Sequence, residues 1–441
     1  MNKFAIKIYG CQMNVYDGDR LRTAMLSRGW QETTEAEADV VCFVTCSIRD
    51  KAEQKAISEI GRHECVYKRT GRPMVVLLGC MAQRVGQEIA KKFTCVKVVS
   101  GPRHLGLVPD ALERVIVTGQ KEFFPDTDPR ELTDLCVCPT AGANPFKSYL
   151  TISYGCDRFC SYCIVPYVRG RLQSREPKEI LAEARQLVER GVTEITLLGQ
   201  NVDAFGKDFR DKKYSFAMLL DEVSQIPGLC RLRFATSHPK DFDTDILDVM
   251  KRNDKICRAV NLPVQSGNTR ILKEMNRGYT REDYLGLVAR IKEALPDISL
   301  TTDLIVGFPT ETEEEFLDSC SLLQEVKFDI VHTAAYSIRP GTRAATMEGQ
   351  IDEATKNRRL NEINAIQSEI ARRANEAYIG QTMEILADGF APKGRGQIQG
   401  RTKTDHVVIL DGNEEDFGKL LTVEITGANP WSLEGKVKGK D

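Results

Sequence analysis

Cys156, Cys160 and Cys163 stand in a C-x3-C-x2-C arrangement within SYGCDRFCSYCIVPYVRG, residues 153–170. A thiolate is a soft metal ligand, and three on one short loop can wrap an iron–sulfur cluster, which normally takes four cysteines. Three leave one iron open, and an open metal position is where a small molecule can bind and react. The neighbouring residues suit a loop. Gly155 permits a tight turn after the strand-like run 149–155, and Pro166 stops a helix from running on. The same spacing would also fit a buried helical stripe, but the segment is polar and cysteine is scarce.

A second set is dispersed. Cys11, Cys46 and Cys80 each follow directly on an apolar run, IKIYG, CFVT and VLLG. Up to residue 100 strand and helix alternate, with strands expected at 4–10, 39–45, 73–79 and 96–100 and helices at 15–28, 50–67 and 85–93. Continuous apolar strands between helices indicate a parallel sheet covered on both faces, and such sheets hold ligands at the carboxyl ends of their strands. The three cysteines therefore converge on one sheet edge as a second three-thiolate site, although three unrelated buried thiols would show the same placement. Cys42, Cys65 and Cys95 lack the pattern and read as structural.

The rest of the chain must position these loops. Residues 123–148 are rich in proline and acidic side chains and read as a linker, with Cys136 and Cys138 an incidental pair. Alternation resumes with strands expected at 149–155, 193–199, 229–236, 259–264, 300–307 and 329–336, and helices between them such as 178–190 and 281–294. Six such units fit an incomplete barrel, whose site forms at the carboxyl ends of its strands. Gln200, Asn201, Ser237, His238, Gln265 and Ser266 fall at those ends, while Asp303 lies on the fifth strand, which ends in Gly307. An amphipathic helix over 352–378 leads to short strands at 382–387, 406–410 and 419–425. The fold class expected is α/β. A doubly wound α/β domain spans 1–122, a partial (β/α)6 barrel with its closing helix 149–377, and a small β-barrel 378–441.

At 441 residues the chain is too long for one ordinary core. Lys and Arg number 61 against 63 Asp and Glu, a net charge of −2, so any nucleic-acid site must be a local patch. No apolar run approaches the roughly 20 residues of a transmembrane helix. The opening MNKFAIKIYG lacks a signal peptide's apolar stretch, so no membrane partner is expected and the cytoplasm is the expected location. There, 14 cysteines argue for metal ligands or buried thiols over disulfides.

The C-x3-C-x2-C loop with Tyr162 before its last cysteine resembles the signature of the radical S-adenosylmethionine (SAM) enzymes. In that family SAM chelates the open iron through its amino and carboxylate groups and is split by one electron into methionine and a 5′-deoxyadenosyl radical. YGCQMNVYD, TCSIRDKAEQK and LLGCMAQR resemble the N-terminal domain of the methylthiotransferases, which implies that Cys11, Cys46 and Cys80 hold an auxiliary 4Fe-4S cluster. LLGQNVDAFG, TSHP, LPVQSGN, MNRGYT and DLIVGFPTETEEEF resemble further segments of that family. Carried over by position, Tyr162, Gln200, Asn201, Ser237, Gln265 and Arg277 are implied to surround SAM, with Gly307 letting the adenine approach. No side chain is assigned as catalytic acid or base. His238 is the most tempting candidate, but it precedes Pro239 and can serve simply to shape the turn. The chain departs from the commonest family form at Thr310, usually Gly, and Ile338, usually Pro, neither of them a cluster ligand. GRTKTDHVVIL resembles the TRAM domain, an RNA-binding module, where Lys393, Arg395, Arg401 and Lys403 form the local basic patch expected to meet RNA.

GCQMN resembles the branch of the family that acts on transfer RNA. The sister branch, which modifies an aspartate of a ribosomal protein, usually has Pro-Lys where Gln12 and Met13 stand. The resemblance implies conversion of N6-(dimethylallyl)adenosine at position 37 to its 2-methylthio derivative, with two 4Fe-4S clusters and two SAM. One SAM methylates sulfur held at the auxiliary cluster, and the other supplies the radical that opens carbon 2 of adenine. That C–H is too weakly acidic for a side-chain base, which is why radical chemistry is needed. The partners implied are the tRNA anticodon stem-loop, a reductant such as a flavodoxin, and iron–sulfur assembly or sulfur-donor proteins. Gln12 and Met13 are expected beside the target base. A non-catalytic iron–sulfur protein that binds RNA or carries electrons is the alternative from another class, and it would not need the polar set at the barrel's strand ends.

Overall fold

The computed structural model describes residues 2–47, 50–126, 144–211, 213–392 and 396–438. Cys136, Cys138, Lys393 and Arg395 lie outside the described residues.

Six parallel strands make the first sheet: β1 (Lys3–Ile8), β2 (Gln31–Glu32), β3 (Val40–Thr45), β4 (Met74–Gly79), β5 (Val96–Ser100) and β6 (Glu122–Phe124). Their order is β2-β1-β3-β4-β5-β6, flanked by α1 (Gln12–Ser27), α2 (Asp50–Thr70), α3 (Cys80–Lys92) and α4 (Val108–Thr118). The central strand β3, VVCFVT, is buried along its whole length. Val40, Cys42 and Val44 pack into one core with Leu21 and Leu112, while Val41 and Phe43 pack into the other with Ile60 and Ile89. A strand covered on both faces needs no polar alternation, which accounts for the unbroken apolar run. Chain order reverses between β1 and β3, and in open sheets that switch point opens a crevice for ligands. Helix α4 and strand β6, which the sequence pattern did not suggest, extend the sheet to Phe124.

The second body begins with β7 (Lys147–Thr151), the short pair β8 (Ser153–Tyr154) and β9 (Gln173–Ser174), and the helical turn α5 (Val165–Val168). There follow α6 (Pro177–Glu189), β10 (Glu194–Leu198), α7 (Phe216–Ser224), β11 (Arg231–Ala235), α8 (Asp245–Arg252), β12 (Ala259–Asn261), α9 (Thr269–Glu274), α10 (Arg281–Ala294), β13 (Ser299–Val306), α11 (Glu313–Val326) and β14 (Ile330–Ala335). Strands β7, β10 and β11 pair in parallel, as do β12, β13 and β14. The two halves join where the Cys257 N–H donates to Leu232 O and the Leu232 N–H to Lys255 O, both at 2.8 Å. Among the described residues β7 and β14 do not pair, so the six strands form an open arc. One core of Leu150, Ile195, Leu232, Val260, Leu300 and Val331 fills it.

Helix α12 (Glu353–Glu376), capped by the Asp352 side chain, leads to β15 (Thr382–Phe390), β16 (Ile398–Thr402), β17 (Val407–Leu410), β18 (Leu420–Asn429) and β19 (Ser432–Val437). These close a barrel in the order β15-β16-β17-β19-β18 around Ile385, Ile398, Val408, Val423 and Leu433. Among the described residues no helix is long and apolar enough to cross a membrane.

Candidate functional site

Each dispersed cysteine sits where a strand hands over to a helix or loop. Cys11 is the N-cap residue of α1, Cys46 follows β3, and Cys80 opens α3. Gly10, at φ +117°, lets Cys11 and Cys46 approach, because a Cβ there would lie 2.3 Å from Cys46 Cβ. A hydrogen bond from Cys46 pulls the Cys11 thiol down to about 5 against the opposing effect of burial. Arg169 and the backbone N–H groups of Asn14 and Met13 act in the same direction. Cys46 and Cys80 are each 2% exposed, and burial raises the Cys80 thiol while Arg169 opposes the rise.

Cys156, Cys160 and Cys163 lie on the loop between β8 and α5, pinned from behind by the segment after α9. The Ser161 N–H donates to Met275 O at 3.0 Å, Ser161 Oγ to Glu274 O at 2.8 Å, and Asn276 Nδ2 to Phe159 O at 2.8 Å. Gly155 stands at φ +66°, where a Cβ would meet Arg171 O at 2.1 Å, so the loop enters against its own exit strand. Burial pushes the Cys156 thiol up to about 11 and the Cys163 thiol up to about 12. Loading iron onto these sulfurs must therefore release protons.

Among the described residues no three His, Cys, Asp or Glu side chains are placed to hold one metal ion. A 4Fe-4S cluster asks for something else: its irons occupy separate corners, so its ligands stand further apart than those of a single ion. Two sets of three thiols fit such a cluster by ligand type.

The polar residues at the strand ends gather around the C-x3-C-x2-C loop. Arg277 is buried, with Nη1 3.4 Å from Cys160 Sγ and 3.5 Å from Tyr162 OH, and Nη2 donating to Pro263 O at 2.7 Å. Asn201 Nδ2 donates to Asp241 at 2.7 Å, leaving a buried Oδ1 without a hydrogen-bond partner. Asp241 also receives Arg158 Nε at 2.6 Å and Lys207 Nζ at 2.6 Å. Burial alone would raise this carboxyl, but these donors hold it well below the usual range. Burial, with help from the Arg277 charge, pushes His238 down to about 2, so its ring is neutral. His238 Nδ1 accepts from the Lys240 N–H at 3.3 Å, which leaves the ring proton on a buried Nε2 that has no partner. One buried free acceptor and one buried free donor beside the cysteine loop suit a ligand that carries both amino and carboxylate groups.

Other expected residues are engaged differently. Ser237 Oγ donates to Asp203 at 3.2 Å. Gln265 is a positive-φ residue on the bridge to Leu304, half-buried. At Gly307 a Cβ would meet Lys356 Cγ at 2.4 Å, so the space it leaves is filled by α12 rather than open. Gln12 is exposed beside Cys11, whereas Met13 is 3% exposed, packed on Tyr154 and Leu198 and touched by Gln200 Nε2. Met13 thus joins the carboxyl ends of the two sheets and offers RNA no surface. Arg401 pairs with Asp405 at 3.1 Å and Lys403 with Asp254 at 2.8 Å, so neither is an unpaired surface cation.

Arg169, just after α5, was not singled out from the sequence, because nothing local to it points to Cys80. Its Nε donates to Cys80 Sγ at 3.2 Å and its Nη2 to Asn14 Oδ1 at 2.9 Å. Asp203, Arg158 and Asp241 were likewise missed; only their nearness in sequence to the cysteines and strand ends could have marked them.

Three family matches cover most of the chain: the radical SAM superfamily over residues 150–323, the uncharacterized protein family UPF0004 over 3–101, and the TRAM domain over 376–438. A protein of Natranaerobius thermophilus named tRNA-2-methylthio-N(6)-dimethylallyladenosine synthase is 41% identical over 440 residues, 99% of this chain and 96% of the relative. Proteins of the same name are 41% identical in Moorella thermoacetica, over 98% of each chain, and 42% identical in Caldicellulosiruptor saccharolyticus, over 98% of this chain and 92% of the relative. Among solved structures, the radical S-adenosylmethionine methyltransferase TsrM of Kitasatospora setae superposes with a TM-score of 0.55 at 18% identity, over 78% of this chain and 75% of that one. That likeness concerns the fold. The full-length identity goes further: the chain belongs to the tRNA-2-methylthio-N(6)-dimethylallyladenosine synthase family of radical SAM enzymes.

Proposed function

We propose that this enzyme converts N6-(dimethylallyl)adenosine at position 37 of tRNA to its 2-methylthio derivative, with one 4Fe-4S cluster on Cys156, Cys160 and Cys163 and a second on Cys11, Cys46 and Cys80. The observation that carries this reading is the approach of the two three-cysteine sets across one interface, where Arg169 Nε donates to Cys80 Sγ at 3.2 Å and the neighbouring Gly170 O accepts from the Cys156 N–H at 3.1 Å. Bound there, the clusters and two SAM would supply the electron, the hydrogen abstraction and the methylthio group that the reaction needs.

The protein's own part is to bind, orient and exclude water. Asn201 Oδ1 and His238 Nε2, buried without partners, would offer SAM an acceptor and a donor, and the Arg277 cation faces the Cys160 sulfur. Tyr162, Ser237 and Gln265 belong to the same binding region by position. Asp241, held ionised by Arg158 and Lys207, fixes the cysteine loop to the barrel and is not a base. His238 stays neutral and acts as a hydrogen-bond donor rather than a proton carrier. Gln12, exposed next to Cys11, would meet an adenine edge, since RNA enzymes read bases splayed from their loop by stacking and edge hydrogen bonds. A reductant such as a flavodoxin, and a sulfur donor, complete the set of partners.

Mass spectrometry of tRNA nucleosides from a strain lacking the gene tests the reading. The 2-methylthio derivative should vanish, its dimethylallyl precursor should accumulate, and the cloned gene should restore the product. An unchanged nucleoside profile would overturn it.

A further inference from the structure

The most unusual side chain outside the two cysteine sets is Arg169. It leaves the helical turn that follows the C-x3-C-x2-C loop, yet its side chain crosses into the first domain. There it is 3% exposed, with Nε 3.2 Å from Cys80 Sγ, Nη2 2.9 Å from Asn14 Oδ1, and the Asp17 carboxylate 3.7 Å away. Its backbone is clamped as well. Arg103, buried just beyond β5, donates from Nη1 to Arg169 O at 3.2 Å. One residue further on, Gly170 O accepts from the Cys156 N–H at 3.1 Å. A two-residue stretch is therefore hydrogen-bonded to a cysteine of each set.

Burying a guanidinium is costly unless anions face it with good geometry. Asp17 is one such anion, and the Cys80 and Cys11 sulfurs are within reach as well. Arginine is suited to this place because it stays charged and its planar fork can hold two partners in fixed directions. A lysine would keep the charge but lose the fork.

We propose that Arg169 is a positioning residue of the auxiliary site: its fixed cation orients Cys80 and makes a cluster bound there easier to reduce. This rests on the auxiliary cluster of the proposed function. Three thiolates outweigh the charge of the cluster core, so the assembly is anionic and gains a further negative charge on reduction. A buried cation that donates a hydrogen bond to a ligand sulfur favours that more negative state, because net charge and N–H···S bonds both set cluster potentials. The low dielectric around a buried pair leaves the effect poorly screened.

The test uses the full chain carrying Cys156→Ala, Cys160→Ala and Cys163→Ala, which retains only the auxiliary site. Its iron content is measured, and its midpoint potential is followed by electron paramagnetic resonance during reductive titration, with Arg169, Arg169→Lys and Arg169→Gln compared. Arg169→Gln should lower the reduced-to-oxidised ratio at a fixed potential about tenfold, a negative shift of about 59 mV for a one-electron couple. Arg169→Lys should fall between the two. An unchanged potential in Arg169→Gln at full iron content overturns the proposal. Loss of iron in Arg169→Gln but not in Arg169→Lys supports it, because the charge then decides. Loss in both overturns it. A parent that binds no iron at this site defeats the auxiliary cluster itself, and the inference with it.

Discussion

Arg231, at the first position of a barrel strand and wholly buried, donates from Nη1 to the main-chain carbonyl of Arg401 at 2.5 Å. Its Nη2 reaches Glu384 O at 3.2 Å and Glu384 Oε1 at 3.0 Å, and Arg233 Nη2 donates to Thr402 O at 2.6 Å. The end of β16, with Glu384 of β15, therefore packs on the amino-terminal end of the open arc, opposite the cysteines. The C-terminal barrel is part of the core's structure as well as a candidate RNA contact.

Two charges at this seam should differ sharply in weight. Arg231→Met removes the donor to two part-buried carbonyls, at about 1–3 kcal/mol each when left unsatisfied, so urea unfolding should show a loss of about 3 kcal/mol. Lys403→Ala breaks only a partly exposed pair with Asp254, and a loss under about 1 kcal/mol is expected. Equal losses would mean that the seam is not held by Arg231. Ending the chain after Tyr378 should lower the melting temperature of the remaining domains, an effect that reduced RNA affinity alone does not produce.

The two cysteine sets should fail in different ways. Alanine at Cys156, Cys160 or Cys163 should abolish 5′-deoxyadenosine formation from SAM. Replacing Cys11, Cys46 and Cys80 together should leave slow SAM cleavage but no methylthiolated product. Iron should fall from about eight to about four per chain in that triple variant. Full iron in the triple variant would make those thiols merely buried.

What was legible in the sequence was whatever repeats locally. The runs VVCFVT and MVVLLG announce covered strands, and a cysteine at the end of such a strand must lie on the sheet's carboxyl edge. Arg169 was not legible because its partner Cys80 is 89 positions away in a different domain. The same blindness to domain docking hid the burial of Met13 at the interface and the Lys403–Asp254 pair, whereas Arg401 pairs locally with Asp405, four positions on. The strands β16 and β19 escaped because the alternation in IQGRT and SLEGKV is broken by glycine.

Asp203 gives a pH signature of stability. Burial, with the nearby Asp241 charge adding, raises its carboxyl from 3.8 to about 7, despite hydrogen bonds from the His238 N–H and Ser237 Oγ. An acid whose folded value lies above its unfolded one binds more protons in the folded state. Stability should therefore fall as pH rises from about 4 to about 7, by on the order of a few kcal/mol, and level off above. Burial raises the Asp126 and Glu311 carboxyls to about 7 as well, so Asp203→Asn should reduce that slope in denaturant titrations across the window without abolishing it. A slope unchanged in the variant would assign it wholly to those other groups.

The last prediction concerns the substrate. Gln12, next to Cys11, carries the one exposed side chain of the GCQMN segment, so on this reading the base comes to it from outside the two sheets. The dimethylallyl group adds apolar surface that a pocket can recognise, worth about 1–3 kcal/mol of discrimination. Turnover of an anticodon stem-loop carrying N6-(dimethylallyl)adenosine should thus exceed that of the unmodified stem-loop by about 10–200-fold in kcat/KM. Gln12→Ala should narrow that preference little, because an amide reads the base edge and not the apolar group. It should lower kcat/KM for both stem-loops alike while leaving RNA-independent SAM cleavage unchanged. A side-by-side assay of the two stem-loops and a ribosomal-protein substrate decides the matter: methylthiolation of the protein with none of the RNA would place this chain's chemistry on an aspartate and remove Gln12 from any role in reading adenine.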